Sequence, residues 1–131
     1  MRKNKYMARR VNVAGEQFDS KREARRYLEL IKLVDTGVIK NLCRQVPFEL
    51  IPEQREPSTA VYSKGVNKGK PKPGRLIEKK CVYIADFVYT CHGETVVEDV
   101  KGYKGGGAYA VFTIKRKLML EKYGIRIKEV K

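Results

Sequence analysis

Hydrophobic and polar residues alternate along the stretch from Val82 to Lys101, which reads VYIADFVYTCHGETVVEDVK. Side chains two residues apart lie on the same face of a β-strand, so the alternation predicts two strands. A short polar segment between them contains Gly93, which suits the positive φ of a tight hairpin turn. Counting outward from a turn at positions 92 and 93 places Asp86 opposite Asp99, with both carboxylates on one face.

A helical period precedes this hairpin. Ser20 and, three residues later, Glu23 form a capping box, and Thr36 followed by Gly37 provides a stop signal. At about 100° per residue, six of the apolar residues between these signals form a single arc, and Glu23 lies within it. The pattern predicts a helix whose core-facing edge carries a carboxylate. The arc contains Ala24, Tyr27, Leu28, Leu30, Ile31 and Val34.

Weaker patterns predict the remaining elements. Residues 41–51, NLCRQVPFELI, indicate a strand, and Pro47 places it at a sheet edge or a bulge because proline lacks the backbone donor. Residues 11–18 predict a short strand or hairpin, and Ile125–Val130 a closing strand. A second helix is expected from about Ala108 to Tyr123, ending at Gly124. Its expected buried positions are Phe112, Leu118, Met119, Leu120 and Tyr123.

Two segments lack an apolar period. Residues 52–80 are rich in Gly, Pro, Lys and Arg and predict a flexible basic loop, either solvated or in contact with phosphates. Residues 1–10, MRKNKYMARR, form a basic N-terminal arm that is either a solvated tail or laid along a phosphate backbone. We therefore expect a single domain over residues 1–131, with no internal repeat.

The charge balance narrows the choice of partner. The 131 residues include 29 basic and 15 acidic side chains, for a net charge of +14. Such an excess on a small domain is typical of a polyanion binder, and it favours nucleic acid over an anionic membrane or an acidic protein. No apolar run approaches the roughly 20 residues of a membrane span, and the basic N-terminus lacks the apolar core of a signal peptide. We expect a cytoplasmic protein with no membrane partner.

The cysteine and histidine content excludes several chemistries. Cys43, Cys81 and Cys91 are odd in number and show no paired C-x-x-C spacing, and His92 is the sole histidine. This pattern argues against a disulfide framework and a structural zinc site. It also argues against HNH nucleases, histidine-dependent triads and most zinc hydrolases, which need more imidazoles. His92 is interpreted as a turn residue.

The two facing aspartates are the strongest candidate chemistry. Directly opposed side chains lie about 4.5–5.5 Å apart at Cβ, and like charges so placed destabilise the pair. Either one carboxyl keeps its proton, or a divalent cation lies between the two. Lys101, two residues from Asp99 on the same face, adds a positive charge. Glu23 is explained by its capping box alone, unless the helix brings it near this pair.

These features together resemble the PD-(D/E)XK nuclease superfamily. The expected order is αβββαβ, with Glu23 in the first helix, Asp86 in the second core strand, and Asp99 and Lys101 as a D-x-K pair in the third. The runs FDSKREARRYLEL, YIADFVY and VVEDVKGYK resemble its small phage-encoded, Holliday-junction-resolvase-like branch over roughly residues 11–130. Ala85 replaces the proline of the literal motif. The resemblance implies an α/β (α+β) fold with a central mixed sheet flanked by helices.

The resemblance also implies an activity, that of a Mg²⁺-dependent endodeoxyribonuclease in which Mn²⁺ can substitute. Asp86, Asp99 and the main-chain carbonyl of Val100 would hold the metal, and Glu23 would complete or support its shell. Lys101 would orient water and neutralise charge on the phosphate. Glu98 should face away, and its loss should be mild. The candidate DNA-backbone contacts are Lys104, Lys115, Arg116 and Lys117, with Arg9 and Arg10 in the arm.

Three functional alternatives remain open. One is a Holliday junction resolvase of phage DNA recombination or processing, which needs two sites for symmetric cutting and so implies a homodimer. Another is a nicking, flap or restriction-like nuclease of the same fold. The third is a non-catalytic basic DNA-binding module. All three place DNA as the partner of a phage or prophage protein in a bacterial host.

Overall fold

The structure is a computed structural model that describes residues 11–13, 15–101 and 104–131. Its elements alternate between strands and two long helices, in agreement with the predicted α+β class. In chain order they are β1 (Val11–Val13), β2 (Glu16–Phe18), α1 (Lys21–Asp35), β3 (Ile39–Ile51), β4 (Gln54–Arg55), β5 (Leu76–Glu78), β6 (Cys81–Cys91), β7 (Glu94–Val100), α2 (Gly106–Tyr123) and β8 (Lys128–Val130).

A mixed four-stranded sheet forms the centre of the fold, with its strands in the order β3-β6-β7-β8. Strands β6 and β7 are antiparallel, whereas β7 and β8 are parallel, as expected for two strands joined through a helix. The order α1, β3, β6, β7, α2, β8 confirms the αβββαβ core. A small antiparallel hairpin, β1 with β2, precedes α1.

The β6–β7 hairpin has the predicted turn and register. Its two turn residues, His92 and Gly93, have φ values of 50° and 77°, which are the positive values that a type I′ turn requires. One residue beyond the last recorded pair, the two strands carry Asp86 and Asp99. The recorded pairs are Phe87 with Glu98, Val88 with Val97, Tyr89 with Val96, Thr90 with Thr95, and Cys91 with Glu94.

Helix α1 starts and ends at the predicted signals. The Ser20 hydroxyl accepts a hydrogen bond from the backbone N–H of Glu23 at 3.2 Å, and the chain leaves the helix through Gly37 with φ of 78°. Two residues of the predicted apolar arc are exposed. They are Leu28, at the edge of the arc, and Val34, its last residue along the chain. The helix contributes Ala24 and Leu30 to a buried cluster with Phe18, Ile39, Phe87 and Tyr89, and Tyr27 packs against that cluster.

A buried ion pair fixes α1 to the sheet. Glu98 is 0 % exposed and accepts hydrogen bonds from Arg26 Nε and Nη2, both at 2.8 Å. The Tyr89 hydroxyl donates a further bond to the same carboxylate. Glu98 thus lies out of phase with Asp99, as expected. The expectation that its loss is mild is not supported, because removal would leave the Arg26 charge without its main partner.

Helix α2 begins at Gly106, two residues before the predicted start, and ends at the predicted Gly124, whose φ is 68°. Phe112 and Met119 are buried as predicted. Leu120 and Tyr123 are 48 % and 41 % exposed, so their predicted burial is wrong. The buried pair is seven residues apart and forms one stripe, and Leu120 is turned about 100° away from it.

Residues 48–83 form a compact unit, and the described residues outside this range form another. Within residues 48–83, β4 pairs antiparallel with β5, and the Phe48 and Tyr83 rings stack at 6.4 Å. Composition did not predict this ladder, because two- and three-residue strands are too short to show an apolar period. Among the described residues, neither helix has the length and apolar character needed to cross a membrane.

Candidate active site

The end of the β6–β7 ladder brings the two candidate aspartates together. Asp86 Oδ2 accepts a hydrogen bond from the backbone N–H of Val100 at 2.8 Å, across the ladder. Asp99 lies next to Val100 on β7 and is only 6 % exposed. The predicted juxtaposition of Asp86 and Asp99 is therefore present in the structure.

Electrostatics mark Asp86 as the unusual group of this pair. Burial raises the pKa of Asp86 to about 7, and the negative charge of Asp99 adds to the increase. The Val100 N–H opposes the shift, while the charge of Glu23 reinforces it. Two ionised carboxylates are therefore unfavourable here at neutral pH. Either a proton or a cation bound by the pair would relieve their repulsion.

Glu23 approaches the aspartates from α1 through an intermediary. Gln45 Nε2 donates to Glu23 Oε1 at 3.0 Å and lies 3.5 Å from Asp86 Oδ1. Arg44 Nη2 lies 3.6 Å from the same Glu23 oxygen. Burial raises the pKa of Glu23, and the Arg44 charge acts against that increase. Glu23 thus has a role beyond its helix cap.

Gln45 was not identified from the sequence. It lies within β3 with φ of 51°, a left-handed conformation that is unfavourable for a residue with a side chain. Such strain is often found at functional sites, and here it accompanies a side chain that bridges two carboxylates. The one available signal was Pro47, which predicted an irregularity in this strand without indicating which residue would occupy it.

Lys101 lies beside Asp99, as the D-x-K spacing predicts. Its Nζ is 3.1 Å from Asp99 Oδ1 and 3.6 Å from the centroid of the Phe112 ring on α2. The ring face attracts the ammonium, and the side chain is largely withdrawn from solvent. Helix α2 therefore restricts where this positive charge can lie.

The acidic residues fit a metal site built on two carboxylates. Within residues 11–13, 15–101 and 104–131, no three His, Cys, Asp or Glu side chains are placed to bind one ion together. The predicted ligand set with Glu23 is therefore not assembled, since Gln45 lies between Glu23 and Asp86. Mg²⁺, however, is commonly held by one or two carboxylates and keeps several waters, which Asp86 and Asp99 can satisfy. The Val100 N–H donates to Asp86, whereas the predicted metal ligand was the Val100 carbonyl.

The predicted DNA contacts in α2 and just before it have different surroundings. Arg116 Nη1 and Lys104 Nζ lie 3.2 Å and 4.0 Å from oxygens of Glu129. Lys115 is half-buried and Lys117 is exposed. Consecutive helical residues are about 100° apart around the helix axis, so these three side chains point in different directions. The other two candidates, Arg9 and Arg10, lie outside the described residues.

Comparison with known proteins gives a family without an assigned activity. No curated protein and no solved structure matches the chain significantly. A family described as a protein of unknown function, DUF1064, matches residues 3–130. Because that match spans nearly the whole chain, the protein belongs to the DUF1064 family.

Proposed function

We propose that the protein is a divalent-metal-dependent endodeoxyribonuclease that hydrolyses phosphodiester bonds at Asp86, Asp99 and Lys101. The observation that carries this proposal is the aspartate pair of buried Asp99 and half-buried Asp86, in which the pKa of Asp86 is raised to about 7 and an ammonium lies 3.1 Å from Asp99. A structural pair of like charges would be costly without a function, and shifted carboxylates of this kind are common in active sites.

Asp86 and Asp99 are the residues that would hold Mg²⁺, or Mn²⁺ in its place. When bound, such a cation supplies Lewis-acid polarisation of the phosphate ester and eases loss of a proton from water. The reaction joins a water oxygen to phosphorus and breaks the bond to the 3′ oxygen, which gains a proton from solvent. By the superfamily resemblance, the products carry 5′-phosphate and 3′-hydroxyl ends.

Lys101 supplies a fixed positive charge beside the carboxylates. Its contacts with Asp99 and the Phe112 ring position the ammonium before substrate arrives. A preorganised charge stabilises the additional negative charge that develops on the phosphate, without reorganisation during the reaction. A compact ammonium with three donors can also orient the attacking water.

Glu23 and Gln45 act as positioning residues. The Gln45 amide donates to Glu23 and lies within 3.5 Å of Asp86, so it connects the helix acid with the strand acid. Arg44 offsets part of the negative charge of Glu23. This arrangement holds Asp86 in one orientation while it leaves Asp99 and Lys101 facing the substrate.

DNA is the proposed substrate because of the net charge of +14. The resemblance to resolvase-like phage nucleases favours branched DNA in the cytoplasm of a bacterial host. Symmetric cutting of a four-way junction requires two active sites, so this version of the proposal requires a homodimer. A nicking, flap or restriction-like specificity requires only one site.

The test compares wild type with Asp99→Asn on supercoiled, flapped and four-way-junction DNA, with Mg²⁺ or EDTA. We expect metal-dependent cutting that Asp99→Asn reduces at least about 100-fold, since it removes one of the two proposed metal ligands. Glu94→Gln is the matched control, because it removes an exposed carboxylate from the same strand and should cut normally.

Two outcomes would contradict the nuclease proposal. Equal cutting by wild type and Asp99→Asn would place the activity elsewhere or in a contaminant. DNA binding with no cutting under any metal would instead favour the non-catalytic DNA-binding module.

A further inference from the structure

Helix α1 presents a basic surface that lies on the opposite side from its apolar arc. Lys21, Arg22 and Arg25 are all exposed on this helix. Positions 21 and 25 are four residues apart, and positions 22 and 25 are three apart, so the three side chains are neighbours on the helix surface. We call this group the α1 basic face.

The α1 basic face lines a surface depression of about 460 Å³. Arg26, Glu29 and Lys131 complete its lining. Arg26 is not available for a ligand, because its guanidinium already binds Glu98 and donates to Glu29 at 2.8 Å. The same contact partly neutralises Glu29, the acidic side chain of the depression. The α1 basic face and the Lys131 side chain contribute positive charge to the depression.

The basic residues of this surface differ in their pairing from those near the candidate active site and near Glu129. Arg44, Lys101, Lys104 and Arg116 each lie within 4.0 Å of a carboxylate oxygen. No such ion pair is recorded in the described residues for Lys21, Arg22 or Arg25. Clustered like charges without a partner repel one another, and a polyanion would relieve that repulsion.

The α1 basic face also lies close to the candidate active site along the chain. Arg22 directly precedes Glu23, and Arg25 lies two residues after it, which is about 3 Å along the helix axis. The first turn of the helix adds a partial positive charge from its backbone N–H groups. Glu23 itself lies in the apolar arc, so the α1 basic face is level with Glu23 along the helix axis but on another side of the helix.

We propose that the α1 basic face binds the phosphate backbone of double-stranded DNA and positions the duplex for the aspartate site. The proposal rests on DNA being the substrate of the proposed nuclease, and it assigns duplex DNA and not an anionic membrane to this surface. Arg and Lys contacts to phosphates position a duplex without reading its sequence. The affinity they provide depends steeply on salt.

The test measures binding of a fluorescein-labelled 20-bp duplex in EDTA at a series of NaCl concentrations. The variant Lys21→Gln/Arg22→Gln/Arg25→Gln keeps good helix formers while it removes three charges. We expect the slope of log K against log [NaCl] to lose about 2.7, which is three contacts at about 0.9 each. Affinity at 0.1 M NaCl should fall about 500-fold.

The matched control, Lys64→Gln/Lys68→Gln/Lys79→Gln, removes the same charge from exposed positions in residues 48–83. It should retain most of the slope. An equal loss of slope in both variants, or no loss in the α1 variant, would overturn the proposal. Binding to vesicles containing phosphatidylglycerol is measured in parallel. The proposal would also be overturned if the α1 variant bound these vesicles less well than wild type but bound the duplex equally well. Thermal melting of wild type and both variants shows whether each variant folds. If the triple α1 variant does not fold, Lys21→Gln/Arg25→Gln replaces it, and the salt slope should then fall by about 1.8.

Binding in EDTA is independent of catalysis, so failure of this proposal can be separated from failure of the nuclease proposal. A reduced slope together with absent Mg²⁺-dependent cutting would support the α1 basic face and reject the nuclease. Metal-dependent cutting by wild type, together with an unchanged salt slope in the α1 variant, would support the nuclease and reject the α1 basic face as a DNA-binding surface.

Discussion

Asp86 is the residue whose surroundings say most about the site. Its carboxyl is held by the Val100 N–H and lies near the negative charges of Asp99 and Glu23, and its pKa is raised to about 7. A cation that neutralises the pair must displace a proton from Asp86 below that pH. The fraction of protein able to bind a metal should therefore decrease as the pH falls from 8 to 6.

Gln45 provides a separate test at the residue scale. Gln45→Ala and Gln45→Gly both remove the amide that donates to Glu23, but only glycine relieves the strain of φ 51°. We expect both variants to lose DNA cleavage to the same extent. Gln45→Gly should be more stable than Gln45→Ala by about 0.5–1 kcal/mol, because strain relief exceeds the entropic cost of glycine. Chemical denaturation and cleavage rates measure the two effects.

Asn41 supplies the control for Gln45. It lies in the same strand with φ of 56°, and it has no recorded contact with the candidate acids. Asn41→Gly should leave cleavage unchanged. Restored cleavage in Gln45→Gly relative to Gln45→Ala would show that the backbone, and not the amide, is what the site requires.

At the scale of elements, the Glu98 and Arg26 pair determines how α1 meets β7. We expect Glu98→Ala to reduce the free energy of unfolding by about 3 kcal/mol, because it leaves a mostly buried guanidinium without its main partner. The paired change Arg26→Met/Glu98→Leu should cost less than Glu98→Ala, since it removes both charges and keeps apolar volume. Urea denaturation measures both values.

The exposed pair of Arg55 and Glu53, at 3.0 Å, is the control for this prediction. Glu53→Ala should change stability by less than about 0.5 kcal/mol, because solvent screens an exposed pair. A comparably small effect of Glu98→Ala would mean that the Glu98 contacts contribute little to holding α1 on the sheet.

Local patterns were enough to predict α1, the β6–β7 hairpin and its register. Each depends on residues close in sequence: the Ser20 cap, the Gly93 turn and the strict alternation around them. The predicted proximity of Asp86 to Asp99 follows from the same register. This explains why the centre of the candidate site could be located before the fold was known.

Contacts between distant segments could not be predicted in the same way. Glu98 and Arg26 are 72 residues apart, and the alternation shows only that Glu98 faces away from Asp99. The ion pair between Arg116 and Glu129 likewise depends on β8 lying beside α2. The left-handed backbone of Gln45 has no signature in composition, because glycine is the usual residue at such a position.

At the scale of the whole molecule, the distribution of charge matters more than its total. The chain carries a net +14, and some of its basic side chains, such as Arg44 and Arg116, are paired with acids. The α1 basic face lies on a helix whose other side faces the core and whose first turn carries Glu23. One helix thus contributes to stability, to the candidate site and to the proposed DNA surface.

The most direct measurement of the central claim is a Mn²⁺ titration followed by electron paramagnetic resonance at pH 8 and pH 6. We predict saturable binding that weakens about tenfold at pH 6, because the raised pKa of Asp86 requires release of one proton. Asp86→Asn should lose this binding, and Glu94→Gln should keep it. Equal binding by wild type and Asp86→Asn, or affinity independent of pH, would contradict a metal site at the aspartate pair.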